Sequence, residues 1–282
     1  MSLAAARPWL FAVLLGLLLL SPAHAGMTPE EVKAFEGYKA KAERGDPVAQ
    51  SKLAGCYADG EGVAKDQVQA VSWIRKAAEQ GYADAQSKLG SCYANGYGVA
   101  KDQVQAVSWY RKAAEHGYAS AQSKLGNCYA EGYGVAKDQV QAVSWYRKGA
   151  DQGDAGAQFN LGNSYDKGEG VTKDQVQAVS WYRKASEQGY ASAQYSLGLC
   201  YANGEGVAKD EIEAYAYWNL CLDNGRNFPP ANLAILEKKM SPDARLLGQQ
   251  RMKELQKEFD AKIEAKRAEY FKKAKDEKKA GK

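Results

Sequence analysis

The sequence predicts an all-α protein, a right-handed α/α superhelix (solenoid) of antiparallel helix pairs with 36-residue repeats. Three observations carry that prediction: self-similarity at a fixed offset of 36 residues, apolar residues recurring at helical spacing inside each repeat, and a pair of glycines that interrupts each repeat near its middle. Leu53, Leu89, Leu125, Leu161, Leu197 and Leu233 fall in step, and so do Tyr57, Tyr93, Tyr129, Tyr165 and Tyr201. Trp73, Trp109, Trp145 and Trp181 make a third column, which Tyr217 continues.

Residues 1–25 read as a signal peptide, because Arg7 precedes an apolar run over residues 9–20 and the triplet Ala23, His24, Ala25 places cleavage after Ala25. A helix of that run reaches only ~18 Å against the ~30 Å of a bilayer core, which argues against a membrane span. No cysteine follows the run closely, so a lipid anchor is not expected. The chain is therefore expected to be periplasmic or secreted.

Residues 26–46 are expected to form an N-terminal capping helix. Thr28, Pro29 and Glu31 announce its start, and Ala34, Tyr38 and Gly45 fit the columns of a second helix that lacks a first. Five repeats follow over residues 47–225. In the first helix of the first repeat, Ala49, Leu53, Cys56 and Tyr57 share one face, whereas Ser51, Lys52, Gly55 and Asp59 share the opposite, outward one. Gly60 and Gly62 end that helix, since paired glycines accept positive φ and favour a turn. Asp66 then suits an N-cap with Gln69 completing a capping-box-like pair, and Asp210 with Glu213 repeats the arrangement. The second helix carries the apolar stripe Ala70, Trp73, Ile74, Ala77 and Ala78, and Gly81 stands where a left-handed cap belongs. Such short pairs bury their stripes only by stacking, so the large aromatic side chains are expected to pack between repeats. Gly90, Gly126, Gly162 and Gly198 lie beside the stripe, where a missing side chain admits a close neighbour.

Residues 226–282 are expected to hold the C-terminal capping helices and a basic amphipathic tail: residues 229–240 match a first helix, and Ser241 with Pro242 starts a last helix reaching Ala280. Met252, Leu255, Phe259, Ile263 and Tyr270 keep helical spacing within it. Residues 250–282 carry twelve Lys or Arg and seven Asp or Glu, so the tail is net positive while the rest of the chain is close to neutral. Weak contact of this tail with an envelope surface is compatible with that balance, although the interspersed acids oppose it. Nucleic acid is not an expected partner of an exported chain.

Ala121, Gln122, Leu125, Gly126, Tyr129, Gly132, Gly134, Val135, Asp138, Ala142, Trp145, Tyr146 and Ala150 resemble the Sel-one-like repeat (SLR) family, tetratricopeptide-like helical repeats, here of the secreted or periplasmic bacterial type. The resemblance covers residues 47–225 and implies a non-catalytic scaffold or adaptor for protein–protein interaction. Some cysteine-rich members are linked to β-lactam binding or hydrolysis, which makes a cell-wall or β-lactam hydrolase the alternative. Those members carry a cysteine pair in each repeat, and this sequence departs from them: Cys56, Cys92, Cys128 and Cys200 occupy one column, Ser164 fills it in the fourth repeat, and Cys221 stands alone.

Stacked repeats set equivalent residues ~8 to 10 Å apart, beyond the ~4.4 to 6.8 Å between the Cα atoms of a disulfide, so five free thiols are expected. The odd count leaves an intermolecular bridge as the other reading. A column spread along a solenoid does not converge on a metal, and neither a metal nor a cofactor is expected. His116, the histidine left after signal removal, matches Gln80, Gln152 and Gln188 and is expected to face solvent, with no nucleophile beside it. No catalytic residues are assigned.

Function is therefore expected where one repeat differs from the next on the outward face of the first helices, taken as the concave surface. The first three repeats place Ser51, Lys52, Gly55, then Ser87, Lys88, Ser91, then Ser123, Lys124, Asn127 there. The last two place Phe159, Asn160, Asn163 and Tyr195, Ser196, Leu199. Phe159, Tyr195 and Leu199 are thus candidate anchors for a peptide or partner protein, with Asn127 and Asn163 bonding its backbone. Packing of the same anchors on the C-terminal cap is the competing reading. Tyr97 and Tyr133, which replace Glu61 in the turns, add stacking surface, and the protein is expected to be monomeric.

Overall fold

The computed structural model describes residues 27–224 and 231–280; the signal-peptide reading of residues 1–25 lies outside the described residues. Among the described residues the chain forms thirteen α-helices and no strand. They are α1 (Pro29–Ala42), α2 (Pro47–Asp59), α3 (Gln67–Glu79), α4 (Ala83–Asn95), α5 (Gln103–Glu115), α6 (Ala119–Glu131), α7 (Gln139–Asp151), α8 (Ala155–Lys167), α9 (Gln175–Ser186), α10 (Ala191–Asn203), α11 (Glu211–Asp223), α12 (Ala231–Lys239) and α13 (Pro242–Ala280). No helix of the described residues is long and apolar enough to cross a membrane. The chain divides into two compact units, Met1–Ala136 and Lys137–Lys282. Within each, consecutive helices pack in order as far as α12, and in the second α13 lies on α11.

Each boundary has a local cause. Asp66 accepts from the backbone N–H groups of Val68 and Gln69 at 2.9 and 3.0 Å, satisfying donors that a helix start leaves open. The reciprocal half of the expected capping box is not made. The Asp66 N–H donates instead to the Tyr57 carbonyl at 2.8 Å, as Asp102 does to Tyr93, Asp174 to Tyr165 and Asp210 to Tyr201. The inter-helix turn folds back far enough for a first-helix carbonyl to take that donor, leaving nothing for the Gln69 or Glu213 side chain to cap. The first glycine column closes the first helices in left-handed geometry, with Gly60 at φ 84°. The second does more than turn. A Cβ on Gly98, at φ 65°, would meet the Gln67 carbonyl, and one on Gly206 would meet that of Gln175. These glycines let each turn rest on the start of the preceding second helix.

The leucine column is fully buried in both units. The tyrosine column is explained by a hydrogen bond: Arg75 donates to the Tyr93 hydroxyl at 2.9 Å, Arg111 to Tyr129 at 2.9 Å, Arg147 to Tyr165 at 2.7 Å and Arg183 to Tyr201 at 3.0 Å. Buried glutamines add a tie that periodicity alone does not reveal. Gln86 donates to the Ala78 carbonyl at 3.2 Å and Gln158 to that of Ala150 at 3.2 Å, so each amide pins a first helix to the end of the preceding second helix. The column tryptophans Trp73, Trp109, Trp145 and Trp181 are half-buried, each with the lysine three residues on over its ring, as Lys76 lies 3.8 Å from the centre of the Trp73 ring system.

At the N-terminus the expected capping box is present: Glu31 N–H donates to Thr28 Oγ1 at 3.2 Å and Thr28 N–H to Glu31 Oε2 at 2.7 Å. Helix α1 buries Val32, Phe35 and Ala42, whereas Ala34, expected in the apolar column, is exposed. At the other end Ser241 Oγ accepts from Ala244 N–H at 3.2 Å and starts α13. Leu255 and Phe259 are buried in the core with Tyr182, Leu197, Tyr217 and Leu220. Arg251 pairs with Glu213 at 2.7 Å and Lys262 with Glu187 at 2.6 Å. The proximal part of α13 is thus a lid on the last repeats.

Candidate interaction surface

The residues expected to face outward divide into two classes. Gly55, Ser91, Asn163 and Leu199 are half-buried and Asn127 is exposed, but Ser51, Ser87 and Ser123 are buried. The serine column belongs to the seam between neighbouring repeats. Ser51 Oγ donates to Asp84 Oδ2 at 3.1 Å, Tyr118 donates to Asp84 Oδ1 at 2.9 Å, and Lys88 pairs with Asp84 at 2.7 Å. Burial alone would raise the Asp84 pKa, yet the Lys88 ammonium and the two hydroxyl donors hold it below the ordinary carboxylate value. A helical wheel of one helix misses this, because the stacking repeat takes a flank that looks outward.

Phe159 and Tyr195 occupy that same column, so their rings meet their own chain. The Phe159 ring lies 5.3 Å from that of Tyr190 and 5.8 Å from that of Tyr182. Asn163 joins the group, its Oδ1 accepting from the Tyr182 hydroxyl at 2.7 Å. Burial, then Asp166 and Cys200, pushes the Tyr182 phenol up, so it remains a donor. Tyr195 and Leu199 gather around a second ring: both pack on a core of Ala214, Tyr215, Trp218, Leu233, Leu236 and Met240, and Trp218 donates its indole N–H to the Tyr195 carbonyl at 3.2 Å. The structure thus brings Phe159 to Asn163 and Tyr195 to Leu199, each pair over its own aromatic ring. Asn127 lies on α6, in the first unit.

One predicted anchor opens onto a groove. Leu199, Trp218, Ile235 and Leu236 line a cleft of about 310 Å³, with Lys209, Glu211 and Lys239 also on its walls. Ile235 is 54% exposed. Sequence reasoning missed Ile235 and Trp218; the available signal was an isoleucine between Leu233 and Leu236 that the buried helical face does not need.

The five cysteines are free thiols, as the repeat spacing predicts. Burial pushes Cys128 up to about 11, and burial with Asp166 and Glu205 pushes Cys200 up to about 12, so both stay protonated at neutral pH and are poor nucleophiles. His116 is exposed, as expected.

The Sel1 repeat model matches residues 47–82, 83–118, 119–154, 155–190 and 191–225. The chain belongs to the Sel1 repeat family. A Sel1 repeat protein from Oxalobacter formigenes is 39% identical, with 69% of this chain and 82% of that one covered at a TM-score of 0.63. The protein c5321, a protective antigen of uropathogenic Escherichia coli strains with an SLR fold, is 34% identical at a TM-score of 0.52. That match covers 91% of this chain but 63% of c5321, so the chain spans less than two thirds of that protein. The immunity protein PA5088 of Pseudomonas aeruginosa shares the fold alone, at 20% identity and a TM-score of 0.50 over 76% of this chain and 83% of that one. No curated protein matches the chain. Sel1 repeat proteins are in general protein-interaction scaffolds, and their repeat is typically non-catalytic.

Proposed function

We propose that this Sel1 repeat protein is a non-catalytic scaffold of the bacterial cell envelope that holds a peptide or partner protein on its first-helix, concave face. The observation that carries the reading is the groove beside Leu199. Its apolar floor of Leu199, Trp218 and Leu236, the exposed Ile235 and the charged Lys209, Glu211 and Lys239 give the pattern of an apolar anchor pocket with a polar rim. Phe159 and Tyr195 shape this face through packing, and Leu199 with Ile235 makes the apolar contact. Asn127 and Asn163 supply polar groups in their respective units. The signal-peptide pattern of residues 1–25 supports the envelope assignment, and the shielded thiols of Cys128 and Cys200 support a role without nucleophilic chemistry.

A photo-crosslinking side chain at position 235 of the full-length protein, expressed in intact cells, should capture a discrete partner. The double variant Leu199→Ala with Ile235→Ala should lose that partner while keeping its helical circular dichroism. Undiminished capture by the double variant overturns the assignment of this face. Mass spectrometry should find the envelope form beginning at Gly26; an intact Met1 terminus confined to the cytosol overturns the export reading.

A further inference from the structure

The first repeat differs from its neighbours at three positions that act together. In the second repeat the Tyr110 ring lies over Gly90, where an added Cβ would sit 2.6 Å from it, and the Tyr110 hydroxyl donates to Ser91 Oγ at 3.2 Å. In the fourth, Tyr182 lies over Gly162 in the same way and donates to Asn163 at 2.7 Å. In the fifth, the Trp218 ring lies over Gly198. The triplet is thus glycine, its C-terminal neighbour and an aromatic ring from the second helix. The first repeat has Ala54, Gly55 and Ile74 instead.

The exchange removes a ring and puts nothing in its place on the outer side. Ala54 and Ile74 are buried, but a Cβ on Gly55 would meet no atom within 4 Å. A groove of 350 Å³ opens there, within the size range of ligand sites, lined by Ala54, Gly55, Ala58, Ile74, Cys92 and the ring of Tyr97. Its polar neighbours are already engaged: Ser51 with Asp84, Ser91 with Tyr110 and Gln67 with the Ala58 carbonyl. The floor therefore offers dispersion contact and little hydrogen bonding. Tyr97 is 59% exposed, which leaves its ring available to another aromatic group.

We infer that this groove in the first unit receives an aromatic side chain, tyrosine or tryptophan, from a partner polypeptide, which takes the place that Tyr110, Tyr182 and Trp218 fill within their own repeats. The inference rests on the scaffold reading above and gives the partner's chemistry. The same helix-pair geometry accommodates a phenol or an indole in the second, fourth and fifth repeats, where the chain supplies one. Lys88, whose side chain is 55% exposed, and Asp59 also line the groove, and together they favour flanking residues of both charges over a purely apolar partner.

The test uses the full chain with labelled methyl groups, titrated with p-cresol and with a tyrosine-bearing Gly/Ser peptide. Both should shift the methyls of Ala54, Ala58 and Ile74, the peptide more tightly. The variant Ala54→Gly, Gly55→Ser, Ile74→Tyr supplies the chain's own ring and should weaken both ligands at least about tenfold while keeping the thermal midpoint. A second variant, Gly55→Leu, fills the groove without repacking the core and should do the same. Shifts located elsewhere, or equal binding by both filled variants, overturn the inference. Because cresol reads the groove without the natural partner, cresol binding with no captured partner would sink the scaffold reading alone. Partner capture that the filled variants leave intact would sink the groove alone.

Discussion

The seam between neighbouring first helices is built in two ways. In the first unit it is polar: Ser51, Asp84, Lys88 and Tyr118 share one network, and Lys124 donates to Ser91 at 2.9 Å while lying over the Tyr110 ring. In the second unit the same column carries Phe159 and Tyr195, and the seam is aromatic, with Phe159 between Tyr182 and Tyr190. Identical backbone geometry thus accepts either a hydrogen-bonded carboxylate or stacked rings. A repeat specifies its stacking through glycine and leucine columns that do not change, which leaves the seam free to vary. That freedom is where a repeat protein can differentiate its faces without altering its fold.

Substitutions can break or sharpen this contrast. The largest effect should be common to both units: Gly98→Ala and Gly206→Ala each force a side chain onto positive φ and against a backbone carbonyl, and each should destabilise by about 3 kcal/mol or more. Urea denaturation reads it, and a large inequality between the two would show that the seams also differ in backbone fit. Next is Phe159→Ser, which gives the fourth repeat the serine of the first three and should lose roughly 2 kcal/mol, since a half-buried ring is removed and no Asp84 equivalent awaits the hydroxyl.

Asp84→Ala should destabilise by about 1 to 2 kcal/mol by leaving the Ser51 and Tyr118 hydroxyls without their acceptor. The Asp84 pKa is depressed on folding, so its contribution is present above the ordinary carboxylate pKa and is lost as pH falls through the depressed value. The difference between wild type and variant should be constant from about pH 5 to 8 and shrink below about pH 4, and a pH-independent difference would show that packing, not charge, holds this seam.

The smallest effect should be a gain. Gln80 donates to Gln50 Oε1 at 2.8 Å, Gln188 to Gln158 Oε1 at 2.8 Å, and Asn224 to Gln194 Oε1 at 3.4 Å. In the second repeat that donor position holds His116, and the buried Gln86 Oε1 lacks a partner. His116→Gln should restore the donor and stabilise by about 1 kcal/mol, seen as a rise in thermal midpoint. No change would mean that solvent already satisfies the amide oxygen.

The sequence by itself determined the repeat and nearly every helix boundary, because glycine columns, aspartate caps and leucine periodicity are local physics that needs no neighbour. It also argued against disulfides between neighbours in the cysteine column, since regular spacing along the stack keeps those sulfurs apart. What only the tertiary structure decided is which flank of each first helix faces solvent. Ser51 and Lys52 look equally outward on a single helix, yet stacking buries the first and leaves the second exposed. For the same reason Phe159 and Tyr195 read as anchors and prove half-buried, while Gly55 read as part of the outward face and Ile74 as part of the apolar stripe, and both prove to line a groove. Burial on a solenoid is set by the next repeat, and a helix wheel holds no information about that neighbour.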